Sequence, residues 1–120
     1  MIKHETKTYD LEDRTCLFAK NTRSFLKKLP RTISNLEDSK QVARSSGSVG
    51  ANYIEANESL SKKDFALRIK ISRKEAKESK FWFRLIDVGD NRVLEEERKN
   101  LTNESEELMK IFSAIMRKSV

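Results

Sequence analysis

Apolar and small residues recur at spacings of three and four along most of this chain, with polar residues between them, as in helices that bury one face. A first stripe of Leu11, Thr15, Phe18, Thr22, Phe25 and Leu29 predicts a helix from about Asp10 to Leu29. Pro30 stops it, because the residue before a proline is pushed out of helical geometry. A second helix is expected after Asn35, where Asn35 and Asp38 form a capping arrangement, and it turns Val42, Ser46, Val49, Tyr53, Ala56 and Leu60 inward. The third opens at Ser61 with Asp64 three residues on, a capping-box-like start. It carries Phe65, Ile69, Ser72, Ala76, Ser79, Phe83 and Ile86 on one stripe and ends near Val88-Gly89, glycine being the usual helix stop. The fourth, from about Arg92 to Lys118, uses Leu94, Leu101, Ser105, Leu108, Phe112 and Ile115. Short connections after the second and third helices make neighbours antiparallel, so the expected fold is all-α, an up-down-up-down antiparallel four-helix bundle over residues 10–120. Residues Met1 to Tyr9 show no period and are read as a mobile N-terminal tail.

One stretch breaks the pattern. The run RSSGSVGANYIEA, Arg44 to Ala56, sits within the second helix yet holds two glycines and three serines. A glycine inside a helix costs about 1 kcal/mol against alanine, so Gly47 and Gly50 together cost about 2 kcal/mol unless close packing returns it. Ser45, Ser46, Ser48 and Ala51 carry the small-residue patch around much of the helix, which implies contact on more than one side. One side is expected to be the domain's own core and the other a neighbouring subunit; the plainer alternative is that the glycines lie on a solvent face and are merely tolerated.

With 120 residues the chain suits one domain around one core. Three glycines and one proline exclude a turn-rich β protein, and nowhere do eighteen apolar residues follow one another. The N-terminus lacks the apolar run of a signal peptide, and the single cysteine, Cys16, has no partner for an internal disulfide. Together these point to a cytoplasmic protein with no membrane association.

The net charge of +6 raises a polyanion as partner, and its distribution sharpens the idea. From Lys62 to Val88 there are nine basic residues against four acidic ones, whereas the fourth helix holds six of each sign. Helical spacing gathers Lys63, Lys70, Lys74 and Lys77, with Arg73, Lys80 and Arg84 on an adjoining strip. Such a ridge suits phosphates bound without base recognition, although lysines are also ordinary solvated side chains. Trp82, between Phe81 and Phe83, reads more readily as a bundle or subunit-interface residue than as a platform for stacked bases.

Catalytic chemistry finds little to work with. Glu55, Glu75 and Glu78 bring carboxylates toward facing helices, but a di-metal bundle needs Glu-x-x-His units, and the sole histidine, His4, lies in the tail. The plainer reading is that these acids pair with nearby Lys or Arg or accept hydrogen bonds from serines. No histidine in the bundle serves Cys16 or any serine as a base, and no glycine-rich phosphate loop follows a strand. A non-enzymatic protein without metal or cofactor is expected.

Two segments carry a family resemblance: FLKKLPRTISNLEDSKQVARSSGSVGANYIEANESLSKKDF and RIKISRKEAKESKFWFRLI, spanning Phe25 to Ile86. The Phe-x-x-x-Leu-Pro end of the first helix, Gln-x-x-Arg-Ser-x-x-Ser-x-x-Ala-Asn-x-x-Glu-Ala in the second and Lys-Glu-x-x-Glu-Ser-x-x-Trp in the third resemble the bacterial 23S ribosomal RNA intervening-sequence proteins. That resemblance implies a small helical bundle, often encoded within insertions in large-subunit ribosomal RNA genes, assembling as a homopentamer and without established catalytic activity. A relative of similar shape, the accessory variability protein of diversity-generating retroelements, binds a reverse transcriptase and nucleic acid through a basic surface. The motif positions here are Gln41, Arg44, Ser45, Ser48, Asn52, Glu55, Glu75, Glu78 and Trp82, for which the resemblance implies structural or interface roles. The chain departs from the family in reading Ala56-Asn57 where glycine commonly follows the Asn-x-x-Glu unit. The expectation is thus a self-assembling bundle whose basic surface meets RNA, DNA or a nucleic-acid-associated protein. The alternative is a structural or protein-binding scaffold.

Overall fold

The computed structural model describes residues 10–119, so the tail read over Met1 to Tyr9 lies outside the described residues. Four helices make up the described chain: α1 (Leu11–Leu26), α2 (Ile33–Asn57), α3 (Lys62–Leu85) and α4 (Arg92–Lys118). Each starts on a side chain that accepts a hydrogen bond from an otherwise unpaired amide of the first turn. Asp10 accepts from the amide of Asp13, Thr32 from Asn35, Ser61 from Asp64 and Asn91 from Leu94. Each helix packs on its neighbour in the chain, and α1 and α4 close the square. This is the antiparallel four-helix bundle that the periodicity predicts. Among the described residues no helix is long and apolar enough to cross a membrane.

Diagonal helices meet through side chains at the centre. Phe18 and Phe25 of α1 set their rings edge-on to Phe83 of α3, with centroids 6.2 and 6.3 Å apart. Tyr53 of α2 lies 6.1 Å from Phe112 of α4. Between these aromatic layers the core is unusually rich in hydroxyls: Thr15, Thr22, Ser45, Ser46, Ser72, Ser79 and Ser105 are all buried. They escape the penalty of an unpaired buried polar group by bonding backbone carbonyls, most of them one turn back in their own helix. Thr22 reaches Phe18 O at 2.8 Å, Ser79 reaches Glu75 O at 3.0 Å and Ser105 reaches Leu101 O at 3.0 Å.

The core stripes fall where the spacing puts them, but four boundary expectations need correction. Helix α1 stops at Leu26 and tightens into a turn in which Lys28 N bonds Phe25 O, which still tucks Leu29 into the core. Helix α2 begins at Ile33 under a Thr32 cap, three residues before the proposed start after Asn35. Asn35 is instead buried and spans two loops, donating to Pro30 O at 3.0 Å and Asp87 O at 2.8 Å while accepting from Asp87 N at 3.0 Å. That grip on Asp87 supplies the backbone bonds a longer α3 would have made, so α3 ends at Leu85 rather than near Val88-Gly89. Gly89 then takes the left-handed conformation, φ 68°, within the loop. Finally, Leu60, expected inward, is 98% exposed because α2 ends at Asn57 and the turn swings it out.

Candidate nucleic-acid interface

The serine-rich stretch of α2 faces two partners at once, and both belong to the same chain. Toward α3, the Ser45 and Ser79 hydroxyls share a hydrogen bond at 2.7 Å, with the Glu75 carbonyl 3.0 Å from the Ser79 oxygen. Ser72 donates across the same junction to Val49 O at 2.9 Å. Short side chains let the two backbones approach closely enough for these bonds. Toward α1, a Cβ built on Gly50 would lie 2.7 Å from Thr15 Oγ1 and 3.1 Å from Thr15 Cβ, closer than real atoms pack. Gly47 makes room for something softer: the Arg23 guanidinium, which crosses over to donate to Ala43 O at 3.1 Å. The second contact expected of the patch is thus met by α1, and no neighbouring subunit is needed to explain the glycines.

Most of the family-motif side chains stitch α2 to α3 at its outer edge. Arg44 holds two acids of α3, Glu75 at 3.4 Å and Glu78 at 3.3 Å. Glu75 is 6% exposed, and the Arg44 charge lies beside its Oε1 without hydrogen-bond geometry. Asn52 donates to both oxygens of Ser48 at 2.9 Å and accepts from Arg68 at 3.0 Å. Gln41 and Glu55 point outward and are exposed. Trp82 is half-buried against the core, its Nε1 shut from solvent with no acceptor among the described residues. Its neighbour Phe81 is the exposed aromatic, standing edge-on to the Trp82 ring with centroids 5.1 Å apart. Residue spacing alone gave no means of telling which of the two adjacent rings faces outward.

The six cations singled out on α3 divide into two groups. Lys63, Lys70, Lys74 and Lys77 are exposed, and none makes an ion pair among the described residues. Arg73 and Lys80 turn toward α4. Arg73 makes a long 3.5 Å bond to Ser113, and Lys80 is neutralised by Glu106 at 2.6 Å. The hydrogen bond and charge of Lys80 in turn hold the Glu106 carboxyl below its ordinary value of 4.5. Lys70, Arg73, Lys74 and Lys77 surround a shallow depression of about 680 Å³ whose apolar wall is Leu67, Ile71 and Met109.

A second open depression of about 540 Å³ lies between α1 and α4. Its cation, Arg14, is already gripped in two places by Glu104, at 2.7 and 2.9 Å, so it offers an anion nothing. Among the described residues no three His, Cys, Asp or Glu side chains come together as a metal site would require.

The comparisons decide the lineage. A family model for the 23S rRNA-intervening sequence protein matches residues 7–114. The chain belongs to that family. A similar solved structure, from Bacteroides thetaiotaomicron, is described as a protein of unknown function from the S23 ribosomal protein family. It shares 30% sequence identity over 88% of this chain and 96% of its own, with a TM-score of 0.73. No curated protein matches. Neither the family model nor the structural neighbour names a reaction.

Proposed function

We propose that this intervening-sequence protein is a non-enzymatic bundle that assembles with copies of itself, as a pentamer by the family resemblance, and presents the outer face of α3 to RNA, DNA or a nucleoprotein. The observation that carries the reading is the row of four exposed lysines, Lys63, Lys70, Lys74 and Lys77, with no acid to neutralise them among the described residues. They lie on one helix over fourteen residues, about 21 Å at 1.5 Å per residue, a length that meets several phosphates of one strand. Nothing in the fold uses their charge. Exposed lysines beside Arg44, Glu75 and Glu78 would lower their repulsion by pairing with the acids, yet those acids are committed to Arg44.

Neutralising four phosphates predicts a log–log salt slope of about −3.6 on duplex DNA, so affinity falls roughly 100-fold between 50 and 200 mM salt. Repetition of the face around an oligomer adds sites in parallel and raises the apparent affinity further. The test is retention of labelled RNA and DNA on a filter at 50 mM salt and micromolar protein, repeated at rising salt. The expected result is salt-sensitive retention that the Lys70→Glu, Lys74→Glu, Lys77→Glu triple variant abolishes. No retention of either polymer by the wild type at 50 mM salt removes the nucleic-acid reading and leaves the scaffold alternative. Light scattering across concentrations tests assembly: a mass that stays at 14.0 kDa refutes the oligomer.

A further inference from the structure

The charged face of α3 is also an apolar one. At 100° per residue, Leu67, Lys70, Lys74, Lys77, Phe81 and Leu85 fall within an arc of roughly 80° on the side of α3 away from the core. All six are exposed; Leu67 is 54%, Phe81 51% and Leu85 51% accessible. Three lysines therefore lie in a row along one track the width of a single helix, with Leu67 at one end of the row and Phe81 and Leu85 at the other. Phe81 follows Lys77 by one turn and is braced edge-on by the half-buried Trp82, which holds its ring toward solvent.

We propose that this track binds an unpaired polynucleotide strand in preference to a duplex; the inference rests on the nucleic-acid reading above and narrows it. A duplex shows an approaching surface its phosphates and sugars, against which Leu67, Phe81 and Leu85 would lose water and gain no partner. A single strand can turn phosphates to the lysines and the flat faces of its bases to Phe81 and its aliphatic neighbours, combining as single-strand binders do a cationic track with a stacking group. Stacking tolerates any base, so little sequence preference is expected, and the shared chemistry covers RNA and DNA alike.

An anionic membrane surface is the competing occupant, since basic and apolar residues on one helix also suit lipid headgroups. Membrane-bound helices gather their apolar residues on one side and their cations on the other. Here lysines lie between Leu67 and Phe81 on the same strip, which favours the strand.

The experiment measures fluorescence anisotropy of labelled 20-nucleotide oligo(dT), oligo(U) and a 20-base-pair duplex against wild type, Phe81→Ala and Phe81→Trp at one salt concentration. The expected result is tighter binding of both single strands than of the duplex. Phe81→Ala should weaken single-strand binding about tenfold and change duplex binding less than about twofold, while Phe81→Trp keeps the wild-type preference. Equal affinity for strand and duplex, untouched by Phe81→Ala, overturns this inference and leaves the basic-surface reading standing; absence of binding to all three probes overturns both. Sedimentation with phosphatidylserine vesicles that Phe81→Ala abolishes, with strand binding unaltered, also overturns it and assigns the face to lipid. Circular dichroism melts of each variant confirm that an exposed substitution has left the bundle folded.

Discussion

The two glycines of α2 lie three residues apart, and the structure predicts opposite outcomes when each becomes alanine. At Gly50 the new methyl falls 2.7 Å from Thr15 Oγ1 and 3.1 Å from Thr15 Cβ. Thr15 cannot rotate away cheaply, because its hydroxyl is buried and bonds Leu11 O and Glu12 O, both at 3.0 Å. Helix α1 must therefore shift as a body. Overpacking of this kind costs about 1–3 kcal/mol, and the helical gain of alanine over glycine returns about 1 kcal/mol. A net loss of about 1 kcal/mol is expected, some 4 °C in Tm for a domain of this size. At Gly47 the methyl meets only the tip of Arg23, at 3.2 Å from Nη2, on a side chain that is exposed and free to move. The helical gain is then set against two exposed hydrogen bonds of Arg23, to Ala19 O and Ala43 O, which water can replace, so Gly47→Ala should be neutral or stabilising by up to about 1 kcal/mol.

Urea denaturation followed by circular dichroism, at one fixed protein concentration so that assembly does not shift the midpoint, measures both variants. A double-mutant cycle assigns the cause. In a Thr15→Ala background the 2.7 Å clash is gone, so Gly50→Ala should cost about 1 kcal/mol less than in the wild type. If Gly50→Ala stabilises the protein as much as Gly47→Ala does, or if the cycle shows no coupling to Thr15, the close approach of α1 is not what glycine is there to permit.

Other expectations follow from single contacts. Asn35→Ala removes three loop hydrogen bonds of a buried side chain and leaves the Asp87 and Pro30 backbone groups without that partner, so it should lower stability by about 1–3 kcal/mol in the same denaturation assay. Phe83→Ala empties the space between Phe18 and Phe25 and should cost about 3–5 kcal/mol. Glu106, held below its ordinary 4.5 by Lys80, contributes stability above that pH and loses it as pH falls through its lower folded-state value; the Tm difference between wild type and Glu106→Gln should therefore be present at pH 7 and vanish at low pH. The Lys70→Glu, Lys74→Glu, Lys77→Glu variant should melt within about 0.5 kcal/mol per substitution of wild type, because all three side chains are exposed and unpaired among the described residues.

The helices and their inward faces were legible because a bundle core repeats with the helical period, and hydroxyl positions such as Thr15, Ser72 and Ser105 keep to that period as strictly as Phe and Leu do. The ends of helices were less legible, for a nameable reason. Asn35 has the chemistry of a cap, and from sequence the local role is the natural one; its actual partner is Asp87, 52 residues away, and a contact of that kind leaves no local trace. Leu60 failed likewise, since periodicity extends a stripe until something stops the helix, and the stop at Asn57 is neither glycine nor proline. At the candidate interface, spacing separated the outward lysines from the strip of Arg73 and Lys80, but the acid that neutralises Lys80 lies on another helix. Only tertiary structure shows that it is already occupied.

That separation bears on what the third helix is for. Among the described residues the ionic contacts that join helices are few and placed at edges: Arg14 to Glu104 ties α1 to α4, Lys28 to Glu97 ties the turn after α1 to α4, Lys80 to Glu106 ties α3 to α4, and Arg44 to Glu75 and Glu78 ties α2 to α3. Each acid of α3 that faces another helix is thereby used, and each acid of α4 in these pairs is spent on a cation other than Lys63, Lys70, Lys74 or Lys77. Four like charges on one helix face repel one another and weaken the folded state slightly. Replacing any of them by glutamine or alanine would relieve that repulsion at no cost in packing, since none is buried. Among the described residues no acid neutralises these four cations, and the proposed partner, anionic along its length with apolar faces between its charges, is one that a lysine row flanked by Leu67, Phe81 and Leu85 would suit.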